Sequence, residues 1–470
     1  MTQLDRVVWH KRRTKSANLP NFPPEVWGLV IRHANLLDYD PLDISKELSF
    51  ADQFPLRLAT YRSAMKIKTT IALVSRQWNT LVQKHLYEFV QIYHPCQAKT
   101  LSGLLSQDVH DGSARGLHIR RLHIETPILE RCSPIDLRNI LDHSPNLCMY
   151  SDHHSIQRSL FAESATSLYT PEEILRLVAH PKMRSLSWTS YGDVSFRTRI
   201  GPLLTNLSDQ LEYLELTYYL SKLHMDPQPV ELDNHTTIYL PSLQALKVAL
   251  DNDAFAILST WTMPQLKNLS ILSSDFSYMG PGFASFLNAY GNNIHQLELR
   301  YCSTIVERHY LTTPQHTFQP QSSKSLAKWL PNLREFIFSV DAELHWESPS
   351  WIGPHILLPA HPNVEFVGIR NIHVGLCNDP DSAEGKPYFT LYTRICSLLS
   401  VDLFPSLRSI RDISEESHNI RTMRPKRRIT QFWMNVLERC RDRGVCIEDY
   451  AGINITVDSL LASTPKVVAS

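Results

Sequence analysis

Leu243-Gln-Ala-Leu246-Lys-Val248 and Leu266-Lys-Asn-Leu269-Ser-Ile271 are two successive copies of the phrase that decides the fold of this chain. Each copy reads apolar-x-x-apolar-x-apolar, and its second half alternates with the period of two that is typical of a short strand. A proline-containing turn, Pro241-Ser242 or Pro264-Gln265, stands directly before each copy. Such a turn stops an incoming helix, so the pattern predicts a turn followed by a strand.

The phrase recurs ten times between residues 119 and 412, with steps of 23 to 43 residues between successive starts. Most copies fit the full pattern, and the steps centre near 30 residues. A loose period of this length indicates a repeat array with insertions. The copies begin at Ile119, Leu147, Met183, Leu211, Leu243, Leu266, Ile294, Leu333, Val364 and Leu407.

Helical stretches fill several of the gaps between the phrases. They are predicted at Asp136 to Asp142, Pro171 to Ala179, Ala254 to Trp261, Gly282 to Tyr290 and Ser323 to Leu330. A repeated order of strand, helix and turn predicts an α/β solenoid of the leucine-rich-repeat kind, because no single unit can bury its apolar face alone. A mixed α/β domain that only imitates repeats is the alternative. At the rear, a helix over Thr430 to Arg443 and a strand over Val445 to Asp449 are predicted to cover the array.

The segment ahead of the array predicts two helices. Leu19-Pro20-Asn21-Phe22-Pro23-Pro24-Glu25 places prolines and a carboxylate where a helix begins, so the first helix should start near Pro24. Thr70 stands before a second apolar-periodic stretch, and Leu86 to Ile92 reads as the end of that helix turning into a strand. The apolar stripes are Val26, Trp27, Leu29, Val30, Ile31, His33 and Ala34 in the first helix, and Ile71, Val74, Trp78, Leu81 and Val82 in the second.

These residues resemble the F-box, in the form Leu-Pro-x-Glu-(Val/Ile)-Trp followed by Ala-Leu-Val-Ser-Arg-x-Trp and Leu-Tyr-Glu that is common in fungal F-box proteins. The resemblance covers about a sixth of the chain. Together with the array it is similar to the leucine-rich-repeat class of F-box proteins, and Phe432-Trp433 with Glu438 to Val445 looks like the end of many fungal members. The departure from the family is a long spacer, which is either a solvated insertion or an obstacle on the adaptor surface.

The resemblance implies a substrate-recognition subunit of an SCF-type E3 ubiquitin ligase. A Skp-type adaptor, and through it a cullin, would bind the front helices, while the array binds an unidentified target protein. The alternative is a leucine-rich-repeat scaffold or binding protein without a ligase partner, in which both helices only cap the array. By resemblance, the adaptor-binding residues are Leu19, Pro20, Pro23, Val26, Trp27, Val30, Ile31, Val74 and Trp78.

The expected domain organisation follows from these features. A flexible basic tail spans 1–18, the F-box spans 19–95 with the inserted spacer at 35–69, the solenoid spans 96–450, and a C-terminal tail spans 451–470.

The ninth position of the regular leucine-rich repeat is normally Asn or Cys. In this chain only Cys302 matches it, which predicts irregular turns. The other residues at this position are Pro127, Tyr219, Asp251, Ser274 and Asp341.

The composition limits the partners that the chain is expected to bind and the cellular compartment in which it is expected. The 47 basic and 47 acidic residues give no net charge, so composition offers no case for nucleic-acid or membrane-surface binding. No apolar run approaches a membrane span, and Met1 to Lys15 lacks the apolar core of a secretion signal. We therefore expect a cytoplasmic protein, with Lys11 to Lys15 and Arg421 to Arg428 as candidate nuclear import signals. Its eight cysteines should be reduced and serve as small core residues.

Motifs for catalysis are scarce. The chain has no Gly-x-Ser-x-Gly, Gly-x4-Gly-Lys, His-Glu-x-x-His or Gly-x-Gly-x-x-Gly pattern, and only 15 glycines. Asp152-His153-His154 superficially matches a metal-dependent phosphoesterase triplet, but it stands alone and is predicted to be a solvated loop. We expect no enzymatic activity, no cofactor and no metal site. A hydrolase within the irregular gaps is the third interpretation.

Overall fold

The computed structural model describes most of the repeats, the helices ahead of them and the helices that follow them. The described residues are 23–35, 40–52, 58–111, 115–127, 130, 132–153, 171–179, 181–190, 204, 209–218, 238–248, 252–273, 281–301, 326–339, 360–372, 376, 389–414, 417 and 427–462. The predicted basic tail at 1–18 and the last eight residues lie outside them.

Twelve strands form one parallel sheet in which the spatial order equals the order along the chain. Each strand therefore pairs only with its sequence neighbours, as a solenoid requires. The strands are β1 (Phe89–Ile92), β2 (Arg121–Glu125), β3 (Met149–His153), β4 (Ser185–Ser190), β5 (Tyr213–Tyr218), β6 (Ala245–Val248), β7 (Asn268–Ser273), β8 (Gln296–Tyr301), β9 (Glu335–Ser339), β10 (Phe366–Arg370), β11 (Ser409–Asp412) and β12 (Cys446–Glu448).

The ten phrases of the sequence form β2 to β11, in register with one another. Leu214 of β5, for example, pairs with Leu246 of β6, and Leu246 pairs with Leu269 of β7. The apolar positions of these phrases are buried in one continuous core on one face of the sheet. The predicted repeat array is thus confirmed as an α/β leucine-rich-repeat-like solenoid, and the predicted strands after Leu86 and at Val445 form its two outer strands.

Helices precede the array and connect many of its strands. The first four, ahead of β1, are α1 (Pro24–Asn35), α2 (Ser45–Leu48), α3 (Leu58–Ala72) and α4 (Arg76–Glu88). The others are α5 (Pro95–Asp111), α6 (Pro134–Asp142), α7 (Pro171–Val178), α8 (Asn252–Leu258), α9 (Pro281–Tyr290), α10 (Leu326–Trp329), α11 (Phe389–Leu398), α12 (Arg427–Arg443) and α13 (Val457–Ala462). Short 3-10 turns lie at Arg115–His118 and Gly291–Asn293.

The start of the second front helix differs from its prediction. The sequence places it after Thr70, but Thr70 lies near the end of α3, where its hydroxyl donates to the carbonyl of Lys66 at 2.8 Å. Helix α4 begins at Arg76 instead, because the Ser75 hydroxyl accepts the amide hydrogen of Trp78 at 3.1 Å and caps it. The start of α1 at Pro24 agrees with the prediction.

Successive repeats are also joined at the turn that precedes each strand. At six steps the residue before the first apolar position donates its side-chain hydrogen to a backbone carbonyl of the corresponding turn one repeat earlier. These turn bonds are Asn146 to Leu117, Lys182 to Pro145, Asn293 to Pro264, Asn332 to Asn292, Asn363 to Pro331 and Ser406 to Pro362.

Most of the residues at the ninth position of the repeat lie outside the described residues. They are Tyr219, Asp251, Ser274, Cys302 and Asp341.

The rear end is closed by α12, as predicted, and the chain continues beyond it as ordered structure. Phe432 and Trp433 of α12 are fully buried in the core. Helix α13 follows within the stretch expected to be a tail, with Ile455 and Leu460 buried against the same core. The end of the solenoid therefore extends past residue 450.

The Asp152-His153 pair is part of a strand, not the solvated loop expected from the sequence. Both residues belong to β3, and Asp152 is buried because its alternation places it on the core face. The Tyr150 hydroxyl donates to its carboxylate at 2.7 Å. His154 lies outside the described residues. Burial of Tyr150, with the Asp152 carboxylate beside it, raises the pKa of this phenol well above its ordinary value.

Candidate protein-interaction surfaces

The front helices pack together as a small three-helix unit. α1 packs on both α3 and α4, and α4 also contacts the 3-10 turn at Arg115–His118 that leads into β2. The Trp27 and Trp78 rings, from α1 and α4, lie 5.3 Å apart with a 47° tilt. This aromatic contact joins the two stretches of sequence that resemble the F-box, and it orients α1 relative to α4.

A buried lysine anchors α3 to the base of α4. The Lys68 ammonium donates to the carbonyl of His85 at 2.8 Å. Burial lowers the pKa of Lys68, while the Glu88 carboxylate opposes that shift. Tyr61 of α3 packs edge-on against Phe89, with ring centroids 5.2 Å apart. The front helices are thus attached to the first strand of the array.

Six large apolar side chains of this unit face solvent, each between 36 and 58% exposed. They are half of the twelve exposed large apolar residues in the part of the chain that the structure describes, although 23–88 is a minor share of it. Exposed apolar residues gathered in one part of a protein are candidates for an interaction surface, whereas scattered exposed residues need no explanation. The front apolar surface consists of Val26, Leu29, Val30, Ile67, Leu73 and Val74.

The residues predicted to bind an adaptor divide into three groups. Pro23, Val26, Val30 and Val74 are exposed, and Val26 and Val30 share one face of α1 with Leu29. Trp27 and Trp78 are half-buried, and Ile31 is only 1% exposed, so it supports the surface from behind. Leu19 and Pro20 lie outside the described residues. Leu29 and Ile67, in helices, and Leu73, in the turn between α3 and α4, are further members of the surface, and their apolar character was the available signal.

The predicted spacer at 35–69 contains two structured parts. Its second part forms most of α3. Its first part, residues 40–52, lies along the face of the sheet opposite the helices, which we call the inner face. We call residues 40–52 the inner segment. Residues 40–52 therefore lie against the sheet and away from the front apolar surface, whereas Ile67 in the second part of the spacer belongs to that surface.

Polar side chains of the inner face bind the backbone of the inner segment at several strands. Arg121 of β2 donates to the Pro41 carbonyl at 2.7 Å, and Asn268 of β7 donates to the Leu48 carbonyl at 2.6 Å. Gln296 of β8 accepts the amide hydrogen of Phe50 at 2.7 Å. Arg370 of β10 donates to the Phe50 carbonyl at 2.6 Å.

Two carboxylates of the inner segment pair with arginines near opposite ends of the sheet. Glu47 lies 2.7 Å from the Arg121 guanidinium and accepts the Ser185 hydroxyl at 2.8 Å. Asp52 lies 2.8 Å from Arg411 of β11. These bonds fix both ends of the short stretch Glu47 to Asp52.

The sheet curves around the inner segment. Six residues would span at most about 20 Å even if fully extended, whereas β2 and β11 would lie about 43 Å apart on a flat sheet. The long arginine side chains bridge part of the difference between these two lengths, and the curvature of the sheet accounts for the rest. The apolar residues of the inner segment consequently meet strands from both halves of the array. This second core contains Ile44, Phe50, Ala51, Cys148, Met149, Tyr213, Ala245, Ile337 and Ile413.

A second row of the inner face carries buried charges of opposite sign. Lys247 lies 2.8 Å from Glu215, and Arg370 lies 2.5 Å from Glu298. Burial alone would raise the pKa of Glu215, but the Lys247 ammonium and the Ser187 hydroxyl lower it to about 2. Glu298 also accepts the Ser270 hydroxyl at 2.6 Å. These pairs compensate buried charge within the array.

Neither a cluster of metal ligands nor a membrane-spanning helix is present in the part of the chain that the structure describes. No group of three or more His, Cys, Asp or Glu side chains in those ranges is arranged to hold a metal ion. None of the helices found there is long and apolar enough to cross a membrane. Cys132, Cys148 and Cys440 are buried, whereas Cys96 and Cys446 are exposed, which differs from the expected core positions.

Comparison with known proteins gives distant structural likenesses. No protein-family model matches the chain, and no curated protein matches it. The leucine-rich repeat-containing protein LegL7 from Legionella pneumophila is similar over 82% of this chain and 95% of its own, with 10% identity and a TM-score of 0.33. A protein from Bacteroides fragilis is similar over 75% of this chain and 74% of its own, with 11% identity and a TM-score of 0.27. The strand order and register themselves define the fold.

Proposed function

We propose that this chain is the substrate-recognition subunit of an SCF-type E3 ubiquitin ligase. Its front helices bind a Skp-type adaptor and through it a cullin, and its solenoid binds a target protein. The observation that carries the proposal is the front apolar surface, which lies on the helices that resemble the F-box. The exposed Val26, Leu29 and Val30 follow the three- and four-residue spacing by which an amphipathic helix binds a partner.

The mechanism of the proposal needs no catalytic residue in this chain. A target held on the solenoid lies near a ubiquitin-loaded enzyme that the adaptor and cullin bring to the complex. The effective concentration of the target's reacting lysine rises, as in other linked binding events. The attachment of α3 and α4 to the first strand supports this role, because it limits the freedom of the adaptor relative to the array.

Binding of a purified Skp-type adaptor to the full chain tests the proposal. We expect a stable complex, and we expect Leu29→Asp to weaken it by at least tenfold, since a charge would be buried at a desolvated contact. Ile453→Asp is the matched control, because Ile453 is exposed to a similar degree at the other end of the molecule. Circular dichroism should give the native spectrum for both variants. Failure of the folded native chain to bind the adaptor would contradict the proposal.

A repeat scaffold without a ligase partner is the second candidate function. The observation that favours it is the packing of α4 on the turn at Arg115–His118, since a helix in that position covers the first repeat whether or not it binds an adaptor. Affinity purification from the native cell distinguishes the two functions. Adaptor and cullin recovered with the native chain but not with Leu29→Asp favour the ligase, whereas target proteins recovered without either favour the scaffold.

A further inference from the structure

The inner segment is bound as a peptide ligand would be. Its only regular element is the four-residue α2, and the remainder is held by side chains of the sheet. Contacts to its backbone come from Arg121, Asn268, Gln296 and Arg370, on four different strands. Bonds to backbone groups give affinity for an extended chain without regard to its sequence.

Selectivity comes from the contacts to side chains of the inner segment. Arg121 and Arg411 each form a charge-assisted bond to a carboxylate, at Glu47 and Asp52. Between them, the Phe50 ring is completely buried in the second core. The order along the segment is therefore carboxylate, aromatic, carboxylate, at spacings of three and two residues.

The inner face is shaped for this aromatic ring. The Phe50 backbone is bound from β8 by Gln296 and from β10 by Arg370, and Ile337 of β9, the strand between them, is buried in the second core with the ring. Gly368 of β10 lets the Ile413 side chain of the same core approach closely, because a Cβ at Gly368 would lie 2.3 Å from it. An apolar pocket within a polar face is expected where one side chain is to be recognised.

We propose that the inner face is a peptide-binding groove for the pattern carboxylate-x-x-aromatic-x-carboxylate, and that residues 40–52 are its resident ligand. A protein partner that presents a segment of this pattern binds the same groove after displacing the inner segment. The proposal does not depend on the adaptor, because the front apolar surface lies on other residues.

Tethering explains why such a partner must compete strongly. A ligand joined to its groove by a short connection has an effective concentration in the millimolar range. A free peptide of the same sequence at about 100 µM therefore leaves the native chain unoccupied. Release of the inner segment exposes the groove to peptide in solution.

The experiment uses full-length chain and a fluorescein-labelled synthetic peptide with the sequence of residues 40–52. Phe50→Asp in the protein removes the ring from its pocket, and fluorescence anisotropy reports peptide binding. We expect saturable binding to the Phe50→Asp chain and none to the native chain at about 100 µM peptide. A scrambled peptide is the matched control. Peptides carrying Glu47→Ala or Phe50→Ala should bind the variant at least about tenfold more weakly.

A milder variant keeps the test decisive if Phe50→Asp does not fold. The double substitution Glu47→Gln and Asp52→Asn leaves the ring in place and removes both charge-assisted bonds. The native-sequence peptide should bind this chain at least about tenfold more tightly than it binds the native chain. If folded chains of both kinds fail to bind the peptide, or bind the scrambled peptide equally, the inner segment is a permanent part of the fold and the groove does not exist.

Discussion

The two ends of the solenoid are covered by helices that use their apolar residues differently. At the rear, α12 directs Phe432, Trp433, Val436 and Cys440 into the core, and all four are almost fully buried. At the front, α1 buries Ile31 but leaves Val26, Leu29 and Val30 exposed, although it packs on both α3 and α4.

The difference shows which apolar residues an end cover needs. One buried stripe is enough to close an array, because the last repeat has only one face to protect. The rear helix has that stripe, and its exposed positions, such as Gln431, Glu438 and Arg441, are polar. The front helices have a buried stripe and an exposed apolar surface as well. Closure of the array does not account for the exposed apolar surface, whereas the proposed binding partner would.

The largest expected effect concerns the rear helix. Trp433→Ala should lower the free energy of unfolding by about 3–5 kcal/mol, because it removes a large, fully buried aromatic ring. Trp78→Ala should cost less, since Trp78 is only half-buried at the front. Urea denaturation followed by far-UV circular dichroism measures both. Equal losses in the free energy of unfolding for Trp433→Ala and Trp78→Ala would contradict the proposed difference between the rear and front helices.

Acid should weaken the array between its ends. The pKa of Glu215 is about 2 in the folded chain, below its ordinary 4.5, so its ion pair stabilises the fold above about pH 4.5 and is lost as the pH falls towards 2. Glu215→Gln should therefore be less stable than the native chain by about 3 kcal/mol near pH 6. The difference should shrink as the pH falls. A gap that is constant from pH 6 to pH 2.5 in urea titrations would contradict this assignment.

The cap of α4 tests how firmly the front helices are built. Ser75→Ala should lower the free energy of unfolding by about 1 kcal/mol, because the Trp78 amide hydrogen loses its acceptor. Ser75→Asp is the control and should restore most of the loss, since aspartate also caps helices. Thermal unfolding of the three chains at one pH gives the comparison.

The smallest expected effect on stability concerns the front apolar surface itself. Leu29→Asp should change the free energy of unfolding by no more than about 0.5 kcal/mol, because the side chain is solvent-exposed. Ile453→Asp at the rear should behave alike. A large loss of stability from Leu29→Asp alone would mean that the surface belongs to the core of the front unit, and the contrast between the ends would then fail.

Much of the array could be predicted from the sequence, because its repeats are local. The spacing of Leu243, Leu246 and Val248 defines a strand and its buried face within six residues, and each strand pairs with the next one along the chain. The start of α1 at Pro24 is equally local. The error at Thr70 has a local cause too, since Thr70 and Ser75 are both capping residues and only packing decides between them.

The inner segment could not be predicted, because its contacts join distant parts of the chain. Phe50 and Gln296, or Asp52 and Arg411, are hundreds of residues apart in sequence. The segment has no apolar periodicity, and its polar contacts carry no signature in a single sequence. The exposure of Leu29 could not be predicted either. An apolar stripe that is buried on two sides has the same sequence pattern as one that is buried on one side and exposed on the other.

The turn bonds explain how this chain tolerates repeats of such unequal length. At six steps a repeat is joined to the previous one both at the turn and along the strand that follows, and the two positions lie within a few residues of each other. The stretch from the end of one strand to the next turn carries neither constraint, so it can lengthen at a small entropic cost. Evolution, or a protein engineer, can therefore insert new loops at that edge of the sheet without disturbing the alignment of the strands.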